Sequence, residues 1–152
     1  ITMEKAGTAM LEDGIFVQGE WLAEAKNRDI AKRFLAASFK GWAFCRDNQR
    51  ACVDIVLQNG TLLGRGHQAW QMNEINKLIW PAPARGIGVM NPVAFVRTAA
   101  IAKQFKVISK LPSGAYRTDL AKAANATLRK QGVNTTGRSW KALVVKVTPG
   151  GK

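Results

Sequence analysis

The longest helical pattern in the sequence constrains its fold most strongly. Over residues 28–46, apolar side chains recur at helical spacing on one broad face, which predicts an amphipathic helix. Asp47-Asn48 interrupts the pattern, and helical periodicity resumes over residues 49–58. With helical segments of this length near its centre, the chain is expected to be mostly helical.

Four further segments predict helices from their periodicity and their end signals. They are a short one at residues 20–22, one over residues 65–79 that stops before Trp80-Pro81, one over residues 92–105, and a last one over residues 113–130. Asn91 is the expected N-cap of the helix that begins with Pro92. Gly60 is expected to end the second long helix in a left-handed C-cap.

Two short apolar runs towards the ends of the chain, residues 15–17 and 143–147, predict β-strands. Strands need neighbouring strands, and this chain supplies few. The sequence therefore predicts an α/β protein that is mostly helical with a few short strands. It also suggests that the chain is a piece of a larger α/β unit.

The length of 152 residues corresponds to one domain, so residues 1–152 are treated as a single unit. No apolar run approaches the roughly 20 residues that span a bilayer as a helix. Two cysteines are too few for a disulfide-dense mini-protein, and one histidine does not supply the usual ligands of a zinc site. The chain begins at Ile1 without a signal-like segment, so an export signal is expected to be absent or removed.

The charge of the chain is unevenly distributed. Residues 1–74 carry nine basic and nine acidic residues, whereas residues 75–152 carry 14 basic residues and one acid, Asp119. The second half therefore holds the whole net charge of +13, which could serve a nucleic acid, an anionic membrane surface or an acidic partner chain. It could equally be a solvated face. No helix-turn-helix, zinc-finger or RNP-type motif is present, so a basic nucleic-acid-binding module is the alternative function and nucleic acid is not the favoured partner.

Cys45 and Cys52 lie seven residues apart, on either side of the Asp47-Asn48 break. In an oxidising compartment they could form a disulfide between the end of one helix and the start of the next. The other interpretation is two small buried hydrophobic side chains. His67 has no nucleophile or orienting acid in a recognisable motif, so a structural or surface histidine is favoured and no enzyme is predicted.

Glu12 and Asp13 form an adjacent carboxylate pair just before the first predicted strand. Carboxylates accept hydrogen bonds without donating, so the pair could hold a cationic or hydrogen-bonding ligand, or it could be a solvated turn. Gly86-Ile87-Gly88 lacks the complete phosphate-loop pattern. Trp80, which precedes a proline, is a candidate for a hinge or an interface.

Ten segments together point to one family, and they extend over nearly the whole chain. The segments are residues 29–42, 45–48, 51–56, 67–70, 76–81, 86–88, 91–92, 132–134, 139–141 and 148–152. In this pattern the chain resembles the NMT1/THI5-like (NitT/TauT-type) solute-binding proteins of ABC importers. The resemblance rests on the order of the segments and not on a catalytic signature.

This resemblance implies a fold. Family members have two α/β lobes around a ligand cleft, so the chain is expected to be the C-terminal part of a type II periplasmic-binding-protein fold whose N-terminal half is absent. Residues 15–17 would then be a sheet strand of the first lobe, and the helices from Arg28 onward would cover that lobe. Thr8, Glu12 and Asp13, near the implied hinge and cleft, are the ligand-binding residues that we expect.

The resemblance also implies a function. Such a protein captures a small polar or heterocyclic solute between its lobes, closes, and docks on a membrane permease. The family's ligands include sulfonates, nitrate and pyrimidine-type vitamin precursors, and the expected location is the periplasm. The expected partners are the small-molecule ligand, the ABC permease, and the missing N-terminal half or a second chain. The enzyme-like branch of the family has a cysteine-rich loop that this sequence does not match, so no catalytic activity, cofactor or metal is expected.

Overall fold

The computed structural model describes residues 2–3, 5–11, 13–60, 62–147 and 149, and within these ranges it contains six helices and no β-strand. In chain order the helices are α1 (Gly19–Ala23), α2 (Ala25–Asp47), α3 (Gln49–Asn59), α4 (Arg65–Ile79), α5 (Pro92–Gln104) and α6 (Asp119–Lys130). Extended segments and loops connect the helices.

The helices predicted from periodicity are confirmed, with differences at their ends. α4 spans the predicted residues, and Asn91 caps α5 by accepting hydrogen bonds from two backbone N–H groups of its first turn. α6 begins at Asp119 and not at residue 113, because Gly114 has a φ of 61°, outside the range of a right-handed helix. The prediction of a left-handed C-cap at Gly60 is wrong, since its φ is −124°.

The expectation of an α/β fold is wrong for the described residues. Both predicted strands, residues 15–17 and 143–147, are free of helix, but neither pairs with a neighbouring strand, and Phe16 is 92% exposed. A short apolar run favours extended backbone, yet a strand forms only where a second strand supplies the hydrogen bonds. Without a sheet, the described part of this chain conflicts with a type II periplasmic-binding-protein fold.

The core lies where α2 packs against α6. α6 presents Ala121, Ala124 and Leu128 at spacings of three and four residues, which places them on one face. The small alanines allow close packing with Phe39 of α2, and Leu128 is only 2% exposed. The remaining buried members of this cluster come from the loop between α4 and α5: Trp80, Ala82 and Ile87.

The loop between α4 and α5 is held against the core by a buried amide and by two glycines. Asn125 Nδ2 donates a hydrogen bond of 2.8 Å to the carbonyl of Ile87. Gly86 and Gly88 have φ values of 103° and 73°, and a Cβ atom at Gly88 would lie 2.3 Å from the ring of Phe39. Gly86-Ile87-Gly88 therefore serves close packing of this loop.

α5 is attached to the rest of the structure mainly through its inner face. Among the described residues, no other helix packs extensively against it. Thr98 accepts a hydrogen bond of 2.9 Å from the backbone N–H of Leu11, and Phe95 packs against Tyr116 with ring centroids 4.7 Å apart. Phe95, Thr98 and the buried Ala99 share this inner face. The opposite face of α5 remains in solvent.

The C-terminus of α5 is closed by a Schellman motif. The N–H of Val107 donates to the carbonyl of Ala102 at 2.8 Å, and the N–H of Lys106 donates to the carbonyl of Lys103 at 3.0 Å. These are the two hydrogen bonds that define the motif. Lys106 occupies its left-handed position, with a φ of 59°, where glycine is the usual residue because a side chain raises the backbone energy.

α2 has a second apolar face, on the side away from α6. Ile30, Phe34, Ala37, Gly41 and Phe44 follow one another at alternating spacings of four and three residues and therefore form one stripe. The three large side chains of this stripe are between 43% and 57% exposed. We call these five residues the outer face of α2. A helix that is apolar on opposite sides normally lies between two layers, but the described residues leave the large side chains of this stripe about half exposed.

The accessible surface of the chain also exceeds that of a compact monomer. It measures 11001 Å², whereas a folded monomer of this mass exposes about 7,600 Å². The excess of roughly 3,400 Å² is larger than the ~800 Å² that one partner contributes to an interface of standard size. The chain therefore exposes more surface than a compact monomer of its mass.

The α2–α6 contact predicts how two leucines differ. We expect Leu128→Ala to lower the free energy of unfolding by about 2–5 kcal/mol, because it leaves a cavity in the core. The matched control is Leu78→Ala on α4, whose side chain is largely exposed and whose loss should cost less than about 0.5 kcal/mol. Urea unfolding followed by circular dichroism measures both, and equal losses would contradict the assignment of the core.

At the start of α6, Arg117 holds Asp119 with two hydrogen bonds. Arg117 Nε donates to Asp119 Oδ1 at 2.7 Å, and Arg117 Nη2 donates to Asp119 Oδ2 at 2.6 Å. These hydrogen bonds lower the pKa of Asp119 from 3.8 to about 2. The carboxylate also lies in the first turn of α6, where the helix dipole favours negative charge.

This pair predicts a small dependence of stability on acid pH. The pKa of Asp119 is lower in the folded chain than in the unfolded chain, so the pair stabilises the fold above about pH 4 and loses that contribution as the pH falls towards about 2. Both side chains are about half exposed, so the contribution should stay below ~1 kcal/mol.

Asp119→Asn and Arg117→Gln should each remove this part of the acid dependence. The measurement is the change in unfolding free energy between about pH 5 and about pH 2, compared with that of the unsubstituted chain. If the unsubstituted chain and both variants lose the same free energy over this range, the pair makes no contribution and the prediction is wrong.

Candidate functional site

A broad, open cleft lies where α2 meets α3 and where the C-terminal segment passes beside them. Its volume of about 860 Å³ falls within the range of roughly 300–1,000 Å³ that is usual for small-molecule sites. We call it the α2–α3 cleft. Its lining residues are Arg46, Asp47, Asn48, Gln49, Arg50, Ala51 and Asp54 from the helices and Asn134, Ser139, Trp140, Lys141 and Leu143 from the C-terminal segment.

A disulfide braces the helical side of the cleft. Cys45 near the end of α2 is bonded to Cys52 in the first turn of α3, with their Cα atoms 5.2 Å apart. Between them the helical backbone is interrupted at Asn48, whose side-chain amide donates to the carbonyl of Phe44 at 3.1 Å. The disulfide and this cap together restrict the angle between the two helices.

Arg46 joins the helical side of the cleft to the C-terminal segment. It is 5% exposed, and it donates from Nε and Nη2 to the two carboxylate oxygens of Asp47, both at 2.7 Å. Its Nη1 donates to the carbonyl of Asn134 at 2.7 Å. The guanidinium also stacks on Trp80, with its central carbon 4.5 Å from the ring centroid. Three parts of the chain therefore meet at one buried cation.

The turn that receives Arg46 is shaped by its own asparagine. Asn134 Oδ1 accepts hydrogen bonds from the N–H groups of Thr136 and Gly137 at 3.1 and 3.0 Å. Gly137 has a φ of 58°, and a Cβ atom there would lie 2.7 Å from Trp80 and 3.0 Å from Arg46. Only glycine fits this turn so close to the stacked pair.

Further along, the C-terminal segment is held by Asn73 of α4. Asn73 Nδ2 donates to the carbonyl of Leu143 at 3.0 Å, and Asn73 Oδ1 accepts from the N–H of Leu143 at 2.9 Å. The buried amide thus pairs with Leu143 as a neighbouring strand would. Together with Arg46, it fixes both ends of the stretch that lines the cleft.

The side chains that remain available in the cleft are suited to binding an anion or a polar ring. Arg50 and Lys141 are exposed and make no hydrogen bond or ion pair with the described residues, whereas Asp54 is engaged by Arg65. Trp140 is half-buried and Ser139 is exposed. The cleft therefore offers two cationic donors, a hydroxyl and an aromatic surface.

The sequence predicts a ligand site in the N-terminal segment and not at this cleft. Thr8 is exposed in the N-terminal segment, where its hydroxyl lies 3.4 Å from the sulfur of Met3. Asp13 is also exposed, and Glu12 lies outside the described residues. Neither Thr8 nor Asp13 lines the α2–α3 cleft. Their role in ligand binding stays a prediction.

The structure also shows the surroundings of Trp80 and His67, two further residues considered from the sequence. Trp80 is buried under Arg46, so it is a core residue and not an exposed hinge or interface. His67 is exposed in the first turn of α4, with its ring centroid 5.8 Å from that of Trp70. Over the described ranges, no group of three or more His, Cys, Asp or Glu side chains could hold a metal ion.

Comparison with protein-family models, with curated proteins and with solved structures finds no match to this chain. In the part of the chain that the structure describes, no helix is both long and apolar enough to cross a membrane.

The contacts of Arg46 predict that a lysine cannot replace it. Lysine keeps the charge, but it lacks the fork that bonds Asp47 and Asn134 at the same time. We expect Arg46→Lys to lower the free energy of unfolding by about 2–3 kcal/mol, and the exposed Arg50→Lys by less than about 0.5 kcal/mol. Urea unfolding of the two variants measures the difference. Equal losses would show that Arg46 does not hold the cleft together.

Proposed function

We propose that this chain is a non-enzymatic solute-binding component of an ABC importer, which captures a small anionic or polar heterocyclic solute and delivers it to a membrane permease. The observation that carries the proposal is the α2–α3 cleft, where Arg50 and Lys141 make no ion pair with the described residues and lie beside a half-buried tryptophan on a disulfide-braced frame. The family resemblance supports the solute class: sulfonates, nitrate or pyrimidine-type vitamin precursors.

The chemistry of the cleft suits these solutes. Sulfonate and nitrate are planar or compact oxyanions, and the guanidinium of Arg50 and the ammonium of Lys141 donate charge-assisted hydrogen bonds to such oxygens. A pyrimidine ring instead gains from stacking on Trp140 and from hydrogen bonds to Ser139 and Gln49. Both modes bind a solute without changing it, which supports capture over catalysis.

The disulfide supports a periplasmic location. Disulfides persist in oxidising compartments and are rare where glutathione and thioredoxin keep thiols reduced. Cys45 and Cys52 brace the junction from which the cleft is built. A bond between the two helices that line the cleft is therefore suited to the periplasm, where a binding protein meets its permease.

The uncovered apolar surface supports a polypeptide partner. The outer face of α2 and the exposed apolar side chains of residues 15–17 and 143–147 would gain from burial against a further layer of structure. A second copy of this chain would bring another net charge of +13 and be repelled. The net charge favours, over a second copy, a different chain or a further segment of the same protein with a neutral or acidic surface.

This proposal does not use the two-lobe α/β fold that the sequence suggested, because the described residues form no sheet. It depends on the cleft, the disulfide and the resemblance of the segments.

Isothermal titration calorimetry with taurine, nitrate and a hydroxymethylpyrimidine tests the proposal directly. We expect saturable binding of one of them, and we expect Lys141→Ala to weaken binding of an anionic solute by about tenfold, since it removes a charge-assisted hydrogen bond. Arg50→Ala should act in the same direction. For the pyrimidine, Trp140→Ala should be the more damaging substitution.

The matched control is Lys130→Ala, which removes an exposed cation at the end of α6 that does not line the cleft. It should leave the affinity within about twofold of that of the unsubstituted chain. Absence of saturable binding by all three solutes would contradict solute capture in this cleft. So would equal weakening by Lys130→Ala and Lys141→Ala, because that would indicate attraction by the overall charge alone.

A further inference from the structure

The outer side of α5 and the loop that follows it combine exposed apolar side chains with lysines. We call this surface, within residues 93–111, the α5 tip. Its large apolar side chains are between 54% and 76% exposed. The residues of the α5 tip are Val93, Val96, Phe105, Val107 and Leu111 together with Lys103, Lys106 and Lys110.

Val93 and Val96 are exposed because α5 is packed on its other side, and the remaining apolar residues lie in the loop after the helix. Its inner face is already occupied through Thr98 and Phe95 by the N-terminal segment and by Tyr116. Val93 and Val96 lie on the opposite face by helical spacing, and that face continues through Ala100 to Lys103. No described helix covers this side extensively.

The charge of the α5 tip has one sign. Residues 75–118 contain no aspartate or glutamate, so no acid on α5, in its loop or in the neighbouring stretch around Tyr116 offsets the three lysines. Lys103, Lys106 and Lys110 are exposed and make no ion pair with the described residues. Their charge is therefore available to an anionic surface.

Lys106 carries one of these charges at a backbone position that favours glycine. It occupies the left-handed position of the Schellman motif, with a φ of 59°, where glycine would be free of strain. Among the described residues it is the only one other than glycine with a positive φ. The motif also holds its neighbours Phe105 and Val107 in fixed positions on either side of the charge.

We propose that the α5 tip docks on the surface of an anionic phospholipid bilayer. Lysines bind anionic headgroups, while phenylalanine, valine and leucine side chains enter the boundary between headgroups and acyl chains. A nucleic acid would bind the lysines through its phosphates. It would not bury the valine and leucine side chains, which an acyl-chain boundary does. This inference is independent of solute capture, because it uses no residue of the α2–α3 cleft.

Sedimentation with vesicles tests the proposal on the whole chain. We expect binding to vesicles of phosphatidylcholine mixed with phosphatidylglycerol and not to vesicles of phosphatidylcholine alone. Lys106→Gly should weaken this binding by about fivefold, the fold-change expected for one lysine at an anionic surface. The same substitution should leave the free energy of unfolding unchanged or raise it, because glycine suits the position. Weaker binding would then not be the result of unfolding.

A charge-matched comparison separates the α5 tip from the overall charge. Lys103→Gln/Lys106→Gly/Lys110→Gln should weaken vesicle binding by roughly 100-fold. Lys130→Gln/Arg138→Gln/Lys146→Gln removes three exposed cations elsewhere and should have a much smaller effect. Phe105→Ser should weaken the binding that persists in high salt, where the charges are screened.

Four results would overturn the proposal. Equal loss of binding in the two triple variants would show that charge acts without a defined surface. Equal binding to neutral and anionic vesicles, or no binding to either, would exclude an anionic bilayer as the partner. Tight, salt-sensitive binding of duplex DNA together with absent vesicle binding would identify a nucleic acid as the partner in its place.

Discussion

The buried guanidinium of Arg46 is the contact on which the cleft and much of the helical body depend. A charge removed from water destabilises a fold unless its hydrogen bonds are satisfied, and Arg46 is satisfied by Asp47 and by the carbonyl of Asn134. Its position on Trp80 brings the loop after α4 to the same point. Gly137 follows as a consequence, because no Cβ atom fits beside the stacked pair. One side chain therefore fixes where three distant segments meet.

The helical pattern of α2 could be read from the sequence, but its apolar residues face two directions. Phe39 and Ala43 pack in the core, whereas Ile30, Phe34 and Phe44 remain half exposed on the outer face. Periodicity predicts that a residue is on a helix and shares a face with others. It does not predict which face finds a partner, because that depends on structure contributed by other segments. The prediction of one broad apolar face is therefore incomplete, because the apolar residues of α2 lie on two faces.

The two strand predictions are wrong for a related physical reason. Residues 15–17 and 143–147 have apolar side chains typical of strands, and the backbone there is not helical, but the hydrogen bonds of a sheet come from neighbours that local sequence does not reveal. The position of the cleft could not be predicted from the sequence either. The sequence singled out Cys45 and Cys52, whereas Arg46 was one of 23 basic residues and Asn73 carried no motif. Their importance follows from burial and from partners 70 or more positions away.

Some residues depart from the usual preferences for burial or backbone conformation, and in this structure they are of two kinds. Arg46 is a buried charge and Asn73 a buried amide, and the chain itself satisfies both, so each is explained by the internal architecture. Lys106 in a glycine position and the outer face of α2 are not compensated by any described contact. A departure that nothing inside the fold offsets points to something outside it. The apolar outer face would suit a polypeptide layer, whereas the lysines and apolar side chains of the α5 tip would suit an anionic bilayer, so the two proposed partners differ in chemistry.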